Sequence, residues 1–572
     1  MRFSMNRNKI YNRRKMWVLF LCITICCVVL LCRVIYLMVF QREYYSKKAV
    51  ELQNRERTIS ASRGNIVDRN GVVLASNELV YNISVIHNQI TDEQKVVDEL
   101  SKLLDIDEAE VKKRVQKVSS IEKIKNNVSK EIGEKILALN LDGVKVDAGY
   151  KRIYPYKDLA AKVIGFTGGD NQGIIGLEAV YDEYLKGDDG IIYSVTDARG
   201  VEVKNQAETR KEPVAGGDLH LTLDYNLQCY LMQAAEKTYI QKEADAVEII
   251  AMNPQNGEIL GMVDYPEFDL SKPFELSEGI DDVNQMWRNR CISDTYEPGS
   301  TFKVITTTAA LEEKLVSLEE RFYCPGYITV EDRRIRCHKT TGHGSQSFVE
   351  AIENSCNPVF IDIGLRIGAD RFYDYFNKLG LMDKTGIDLP GEAKTIMHQK
   401  ENIGQVELAT ISFGQSFQVT PIQLMTTIAS IVNGGNRITP HLCSYIQSAE
   451  GDVVKEYKAS STKQICSEKT SETVRFLLEK VVSEGGGNKA YIEGYNIGGK
   501  TATSQTLPRS DNKYISSFLG FAPADDPQIM VLVIINNPKG AYYGGVIAAP
   551  VAKEIFENVL PYAILKSNET EE

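Results

Sequence analysis

The feature of this chain that most restricts its folding is an uncharged apolar run near the N-terminus, from Met16 to Cys32. Apolar character resumes after Arg33 and continues to Phe40. The whole stretch is long enough to cross a bilayer as one helix, with Arg33 near an end where its charged head can reach the interface. We therefore predict a single transmembrane helix over residues 16–40.

The residues on either side of this run suggest its orientation. Residues 1–15 carry several basic side chains, and such segments stay on the cytoplasmic side. The polar flank after Phe40 lacks the small-residue exit of a cleavable signal peptide. The expectation is a cytoplasmic tail at 1–15, a helix left in the cell membrane, and the rest of the chain outside.

Composition limits the classes of function. A chain of 572 residues should hold two or three domains, and its net charge of −11 argues against a nucleic-acid partner. Four of the eleven cysteines lie in the apolar run. The other seven form an odd, sparse set rather than a disulfide scaffold, although one pair is compatible with an oxidising exterior.

Patterning divides the part outside the membrane in two. Residues 63–75 read as a hairpin around Asn70-Gly71, and residues 91–139 as two or three amphipathic helices. The polar stretch Val201–Gly217, with Pro213 and two glycines, is the best internal boundary. We predict a β-rich domain over 41–212, a second domain over 213–566 and a tail at 567–572.

The second domain has an α+β pattern. A strand (219–223), a helix (226–243) and a hairpin (246–253 and 257–263) precede a mostly helical middle from 300 to about 480. Strands follow at 495–504, 514–522 and 528–537, and a helix at 549–566. Strands first, helices inserted and strands last predict one antiparallel sheet with a helical lobe beside it.

Candidate catalytic residues begin at Ser300. Pro298-Gly299 precedes a helical run from Ser300 to Leu311, so Lys303 should lie one turn later on the same face. A lysine whose pKa is lowered by burial can take the proton of a serine nucleophile, and helix-start amides can stabilise an oxyanion. The S-x-x-K spacing alone is weak, because it recurs by chance.

Two further motifs strengthen this hypothesis. Ser355-Cys356-Asn357 follows a short helix and offers a hydroxyl and an amide. Lys500-Thr501-Ala502-Thr503 follows two glycines on the strand that opens the C-terminal sheet. A literal Lys384-Thr385-Gly386 also occurs, but its context is a loop, so we favour the 500–502 site although Ala502 stands where the motif has glycine.

In this order, S-x-x-K, S-x-N and K-T-G form the signature of class A β-lactamases and penicillin-binding proteins. With the hairpin at 63–75 and Gly520-Phe521-Ala522-Pro523, the chain resembles the class B penicillin-binding proteins, which are membrane-anchored peptidoglycan D,D-transpeptidases. The resemblance implies a β-lactamase/transpeptidase-like domain over 213–566 on an elongated pedestal of the penicillin-binding protein dimerisation type over 41–212. It implies no cofactor.

The resemblance also implies roles for the matching residues. Ser300 would attack the D-Ala–D-Ala carbonyl, Lys303 would take its proton, and Ser355 would relay a proton to the departing D-Ala. Asn357 would bind the amide of the donor peptide. Lys500 would set the electrostatic field, and Thr501 and Thr503, on either side of Ala502, would bind the terminal carboxylate.

Partners and alternatives follow from the same resemblance. Substrates would be stem peptides of lipid-linked or nascent strands, β-lactams would be covalent inhibitors, and a separate membrane glycosyltransferase would polymerise the strands. The alternatives are a D,D-carboxypeptidase or β-lactam hydrolase, or an inactive penicillin-binding scaffold. A deacylating Glu-x-x-x-Asn loop is not evident between Asn357 and Lys500, where only Glu392 and Glu401-Asn402 come close.

Cys356, inside the S-x-N motif, suggests a redox hypothesis. A Cys337–Cys356 disulfide would distort the catalytic loop until a thiol-disulfide reductase restored it, and a small buried thiol is the alternative. Such an arrangement resembles spore-cortex transpeptidases more than division enzymes. His338, His343 and Cys324 also lie near in sequence, but their spacing matches no zinc pattern, so we predict no metal.

Overall fold

The computed structural model describes residues 2–119, 121–195, 209–276, 279–457 and 463–569. They form two compact units that alternate along the chain. Unit 1 comprises Met1–Ala61, Leu79–Tyr150 and Asp188–Val214, and unit 2 comprises Ser62–Glu78, Lys151–Gly187 and Ala215–Glu572. The predicted first domain, 41–212, includes residues 62–78 and 151–187, which belong to unit 2. The predicted domain limits stay a prediction. The predicted boundary stretch 201–217 and tail 567–572 lie partly outside the described residues.

Helices are interspersed with strands of 2 to 13 residues up to residue 215. In chain order they are α1 (Arg2–Val39), α2 (Arg42–Gln53), β1 (Asn54–Ile59), β2 (Ile66–Val67), β3 (Val73–Val85), α3 (Glu93–Leu104), α4 (Glu108–Val115), β4 (Glu122–Ser129), α5 (Lys130–Ala138), β5 (Val144–Ile153), α6 (Ala161–Ile164), α7 (Gly176–Val180), α8 (Asp182–Leu185), β6 (Gly190–Val195) and β7 (Thr209–Lys211).

The remainder has its five longest strands toward its two ends and most of its helices between them. Its elements are β8 (Asp218–Leu221), α9 (Tyr225–Lys242), β9 (Ala246–Met252), β10 (Ile259–Tyr265), α10 (Val283–Trp287), α11 (Arg290–Ser293), α12 (Lys303–Glu312), β11 (Arg321–Cys324), β12 (Tyr327–Val330), β13 (Arg333–Arg336), β14 (Gly344–Ser347), α13 (Phe348–Glu353), α14 (Asn357–Ile367), α15 (Ala369–Lys378), α16 (Gln405–Ile411), α17 (Pro421–Val432), β15 (Cys443–Gln447), β16 (Val453–Glu456), α18 (Glu468–Ser483), β17 (Gly498–Gln505), β18 (Tyr514–Ala522), β19 (Ile529–Asn536) and α19 (Gly544–Glu569).

Unit 1 has a small core of its own. Residues 80–85 of β3 pair with β4, and helices α3, α4 and α5 pack their apolar faces here through residues such as Leu100, Val111 and Ile136. A separate sheet has the order β1-β6-β7. Within α1, Arg13–Val39 is long and apolar enough to cross a membrane, in agreement with the predicted helix.

The centre of unit 2 is an antiparallel sheet of order β10-β9-β19-β18-β17. Its strands are almost entirely buried because helices cover both faces. On one face Val533 and Phe518 pack with residues of α9 and α19, such as Leu231 and Phe556. On the other face, residues such as Leu519 belong to the core that includes the helical lobe. The predicted fold class, a sheet with a helical lobe, is confirmed.

The middle of unit 2 contains more strands than the mostly helical stretch that was predicted: β15 and β16 lie within it, and a group of four strands precedes them. Residues 321–347 contain four short strands, which pair as β11 with β14 and β12 with β13. They are only four residues each and carry several charged side chains, so they lack the apolar alternation by which strands are recognised in a sequence. These two small ribbons support part of the site described below.

A buried ionic network ties the 62–78 and 151–187 segments of unit 2 together. Arg63 donates from Nε to Oε2 of Glu178 and from Nη1 to Oδ1 of Asp182, each at 2.6 Å. Arg152 donates to the other oxygen of Glu178 at 2.7 Å. The side chains of Arg63 and Glu178 are 0% exposed.

Removing Arg63 should therefore be costly. The Arg63→Ala variant leaves Glu178 and Asp182 short of a partner, and we expect unit 2 to lose about 3–5 kcal/mol of stability. Lys237→Ala is the control, because its ion pair with Glu554 is half exposed and should contribute less than about 1 kcal/mol. Denaturant unfolding of the full chain in detergent measures both, and equal midpoints for the two variants would contradict the prediction.

Candidate active site

Ser300 lies in a turn that leads directly into a helix. The turn is a 3-10 segment, Gly299–Phe302, and α12 begins at Lys303. Ser300 and Lys303 are therefore one turn apart, as the sequence predicts. Ser300 is half-buried, whereas Lys303 is 1% exposed.

Two glycines set the position of this turn. Gly299 and Gly414 both have positive φ, +55° and +87°, and the amide of Gly299 donates to the carbonyl oxygen of Gly414 at 2.9 Å. A Cβ on Gly414 would lie 2.0 Å from the carbonyl oxygen of Gly299. The backbones can approach this closely only because Gly414 has no side chain, and the positive φ of Gly299 favours glycine there.

The second motif forms the junction of two helices. Helix α13 ends at Glu353, and α14 begins at Asn357. Ser355 between them has a left-handed backbone, φ +49°, which is uncommon for a residue other than glycine. The amide of Cys356 donates to the carbonyl of Ala351 at 2.9 Å. These features fix the directions in which Ser355 and Asn357 point.

The side chain of Lys303 joins the two motifs. Its Nζ donates to the carbonyl oxygen of Ser355 at 2.7 Å, to the Oγ of Ser355 at 3.1 Å and to Oδ1 of Asn357 at 2.7 Å. The sequence predicted this meeting of S-x-x-K and S-x-N across more than fifty residues, and the structure brings the groups together. A lysine held in this way is fixed beside the hydroxyl group of Ser355 and the side-chain amide of Asn357.

Burial changes the protonation of this lysine. Desolvation lowers the pKa of Lys303 from 10.5 to about 7, although the nearby thiols of Cys356 and Cys337 oppose the shift. A pKa near neutrality gives a substantial neutral fraction at physiological pH. The amine can therefore act as a proton acceptor.

Lys500 lies close by, on β17. It pairs with Leu519 of β18, is 1% exposed and lines the same small cavity as Lys303. Burial, and secondarily the charge of Lys303, lower its pKa well below the usual lysine value. Two lysine side chains thus line one small cavity, where a bound anion would favour their charged forms.

The rest of β17 runs alongside the turn that carries Ser300. A Cβ on Gly299 would lie 3.4 Å from the carbonyl oxygen of Thr503 and 3.6 Å from the Cβ of Ala502. The methyl of Ala502 is 4% exposed and faces this turn. Thr501 and Thr503 are half-buried, and Oγ1 of Thr503 accepts from the amide of Gly544, at the start of α19, at 3.0 Å.

One contact near the site was missed in the sequence. Glu297, three residues before Ser300, is buried and accepts from the amide of Ser416 at 2.9 Å. Its two oxygens also accept from Nη2 of Arg509, at 3.2 and 3.1 Å. Arg509 follows β17, so this ion pair links the third motif to the start of the first, and only a three-dimensional structure could reveal it.

The literal Lys384-Thr385-Gly386 lies in a loop, as we predicted. The amides of Thr385 and Gly386 donate to the carboxylate of Glu392, at 2.6 and 3.3 Å. The carboxylate of Glu392 therefore accepts hydrogen bonds within its own loop. Glu401 belongs to an exposed 3-10 turn.

The cysteine pair is also brought together, with two additional neighbours. Cys337 and Cys356 are buried free thiols. Their sulfur atoms lie within 4.8 Å of each other, of Sγ of Cys324 and of a ring nitrogen of His343. Cys324 and His343 lie near in sequence, but their linear spacing matches no zinc pattern and gives no sign of this cluster.

Comparison with known families agrees with this site. Residues 247–557 match the penicillin-binding protein transpeptidase domain, and residues 58–221 match the penicillin-binding protein dimerisation domain. The first match spans Ser300, Ser355 and Lys500. The chain belongs to the penicillin-binding protein family and combines these two domains.

Two relatives cover most of the chain. Stage V sporulation protein D of Bacillus subtilis is 40% identical over 92% of this chain and 82% of its own length. The probable peptidoglycan D,D-transpeptidase PenA of Neisseria meningitidis is 29% identical over 92% of this chain and 89% of its own length.

Solved structures support the fold. A peptidoglycan synthetase of Bifidobacterium adolescentis has a TM-score of 0.75 at 23% identity, covering 89% of this chain and 97% of that structure. Penicillin-binding protein 3 of Mycobacterium tuberculosis, in complex with aztreonam, has a TM-score of 0.68 at 24% identity over 89% and 97% of the two chains.

Proposed function

We propose that this protein is a serine-type peptidoglycan D,D-transpeptidase that cross-links stem peptides through an acyl-enzyme and is acylated by penicillins. It works in septal or spore-cortex wall synthesis, as the names of its relatives suggest. The observation that carries the proposal is the triple hydrogen bond of the Lys303 amine to Ser355 and Asn357, one helical turn from Ser300.

Acylation begins with the neutral Lys303 amine. It takes the proton of Ser300 as Oγ attacks the D-Ala–D-Ala carbonyl, and the oxyanion is stabilised by the amides of Ser300 and Thr503. The C–N bond then breaks, and the departing D-Ala receives a proton by way of Ser355. The lysine ends neutral again, because it has passed on the proton it took.

The remaining groups hold the substrate. Asn357 binds an amide of the donor peptide, while Thr501 and Thr503 bind its terminal carboxylate beside the methyl of Ala502. Lys500 supplies positive potential for that carboxylate. An amine of a second stem peptide then attacks the ester carbonyl, releases Ser300 and forms the cross-link.

Transfer to an amine is favoured over hydrolysis. A β-lactamase needs a carboxylate that activates the deacylating water, but Glu392 accepts hydrogen bonds from its own loop and Glu401 is exposed on a short turn. The acyl-enzyme formed with penicillin should therefore persist.

The chain acts at the outer face of the cell membrane. The membrane helix, predicted over 16–40 and overlapping the apolar stretch Arg13–Val39, anchors it, the basic residues 1–15 stay in the cytoplasm, and the chain from residue 41 onward lies outside. There it meets lipid-linked or nascent strands, which a membrane glycosyltransferase polymerises.

A redox step would regulate this enzyme. A disulfide-bonded oxidant takes two electrons and two protons from the Cys337 and Cys356 thiols and is itself reduced to a dithiol, which leaves one disulfide in the chain. A thiol-disulfide reductase reverses the exchange. Because Cys356 lies between Ser355 and Asn357, a bond that pulls its sulfur toward Cys337 displaces both groups from Lys303. The oxidised enzyme would be inactive.

The nucleophile assignment is tested with Ser300→Ala. We expect the full chain in detergent to bind a fluorescent penicillin covalently, and the variant to show no labelling, since the ester cannot form. Ser448→Ala, in a distant turn, is the control and should label normally. With stem-peptide substrates the wild type should yield cross-linked dimers, whereas D-Ala release without dimers would indicate a carboxypeptidase.

The role of Lys303 predicts a pH profile. Its folded pKa is lowered, so the neutral base becomes more abundant as pH rises through about 7. The acylation rate constant for fluorescent penicillin should increase roughly tenfold between pH 6 and pH 8 and then level off. A rate that continues to climb toward pH 10 would indicate an unshifted lysine, and Lys303→Arg should be slow throughout.

The redox step is tested by mapping thiols. After mild oxidation and unfolding in chelator, Cys337 and Cys356 should resist alkylation, penicillin acylation should fall at least tenfold, and a thiol reductant should restore both. Cys337→Ala should keep its acylation rate under oxidation. Full alkylation of both thiols in the oxidised sample would contradict the switch.

A further inference from the structure

The cluster of Cys324, Cys337, His343 and Cys356 is assembled from four separate places in unit 2. Cys324 ends β11, and Cys337 directly follows β13. His343 directly precedes β14, which pairs with β11, and Cys356 caps the start of α14. The two small ribbons and one helix start thus direct four soft or borderline donor groups to one point.

The backbone around the cluster is tightly constrained. The amide of Cys337 donates to the carbonyl of Gly326 at 2.9 Å. A Cβ on Gly326 would lie 2.1 Å from the carbonyl oxygen of Thr340, and one on Gly342 would lie 2.4 Å from that of Cys324. Glycine at both positions lets the loops that carry the donors close on each other.

The donor atoms have nearly the separation that a tetrahedral ion requires. Zinc at about 2.3 Å from sulfur and about 2.0–2.1 Å from nitrogen holds its ligand atoms about 3.5–3.8 Å apart. Here all four atoms lie within 4.8 Å of one another, and Sγ of Cys337 lies 3.6 Å from Nδ1 of His343. Small side-chain movements would complete the coordination.

Burial and ligand type select the ion. Cys324, Cys337 and Cys356 are 1%, 2% and 0% exposed, and His343 is half-buried. Three thiolates and one imidazole, closed to solvent, suit a structural zinc ion and not the oxygen-seeking calcium or magnesium. An ion at this site would be held by the three sulfur atoms as thiolates and by the neutral imidazole.

We propose that Cys324, Cys337, His343 and Cys356 form a structural Zn²⁺ site that fixes the S-x-N loop of the active site. Cys356 is the residue between Ser355 and Asn357, which hold Lys303. Nδ2 of Asn357 also donates to the carbonyl of Arg336, next to Cys337, at 3.5 Å. The ion would therefore position the catalytic groups without contacting the substrate.

Zinc content of the purified full chain tests the site. The protein, reduced in detergent, is given excess ZnSO₄, dialysed and analysed by elemental mass spectrometry. We expect one zinc per chain in the wild type and in Cys466→Ser, which loses a buried thiol outside the cluster. Cys324→Ser should retain less than a fifth of that amount, although both thiols of the redox pair remain.

Cobalt substitution of the wild type avoids reliance on a variant that could misfold. Co²⁺ at this site should show the intense visible bands of tetrahedral coordination and thiolate-to-cobalt charge transfer, both lost on adding Zn²⁺. Chelation of zinc should slow penicillin acylation at least fivefold, and returning zinc should restore it. The proposal would be overturned if the wild type bound no zinc or bound iron in its place, or if bound cobalt were octahedral. It would also be overturned if acylation were unchanged after zinc removal, or if Cys324→Ser retained as much zinc as the wild type.

Discussion

The active site depends on one buried amine. Lys303 is almost inaccessible to water, and a charge in that position is costly unless hydrogen-bond acceptors surround it. Ser355 and Asn357 supply three acceptors. The cost of burying the charge is only partly offset, so the pKa of the amine lies near neutrality. The burial that penalises the charged form therefore makes the lysine a usable base. Any shift of the S-x-N loop would change that balance.

The sheet and its glycines keep the groups in register. Strand β17 runs beside the Ser300 turn, and the positive φ of that turn, +55° at Gly299, favours glycine. Gly414 has no side chain and therefore lets its backbone approach the turn closely, with its carbonyl oxygen 2.9 Å from the amide of Gly299. The Glu297–Arg509 ion pair joins the end of the β17 segment to the residue just before the turn. Backbone contacts between distant segments thus set the geometry of the site, and they determine where its side chains lie.

Much of this was predictable from the sequence. Long apolar strands such as β18 and β19 have a strong pattern, and Ser300, Lys303 and the S-x-N loop follow local spacing and helix-start rules. The four strands between 321 and 347 were missed because they are short and charged. The Glu297–Arg509 pair was not predicted, and a metal at the cysteine–histidine residues was rejected, for another reason: their members meet only through tertiary contacts, which no linear spacing encodes.

The two proposed roles of the cysteines, a redox switch and a structural zinc site, exclude each other. A disulfide brings two sulfur atoms to about 2.0 Å, whereas two thiolates on one zinc ion stay about 3.8 Å apart. Oxidation of Cys337 and Cys356 would therefore expel the metal, and a bound metal would protect the thiols from oxidation. A redox pair alone explains neither Cys324 nor His343. A zinc site accounts for all four residues, and it makes the reduced, metal-bound loop the one that presents Ser355 and Asn357 to Lys303.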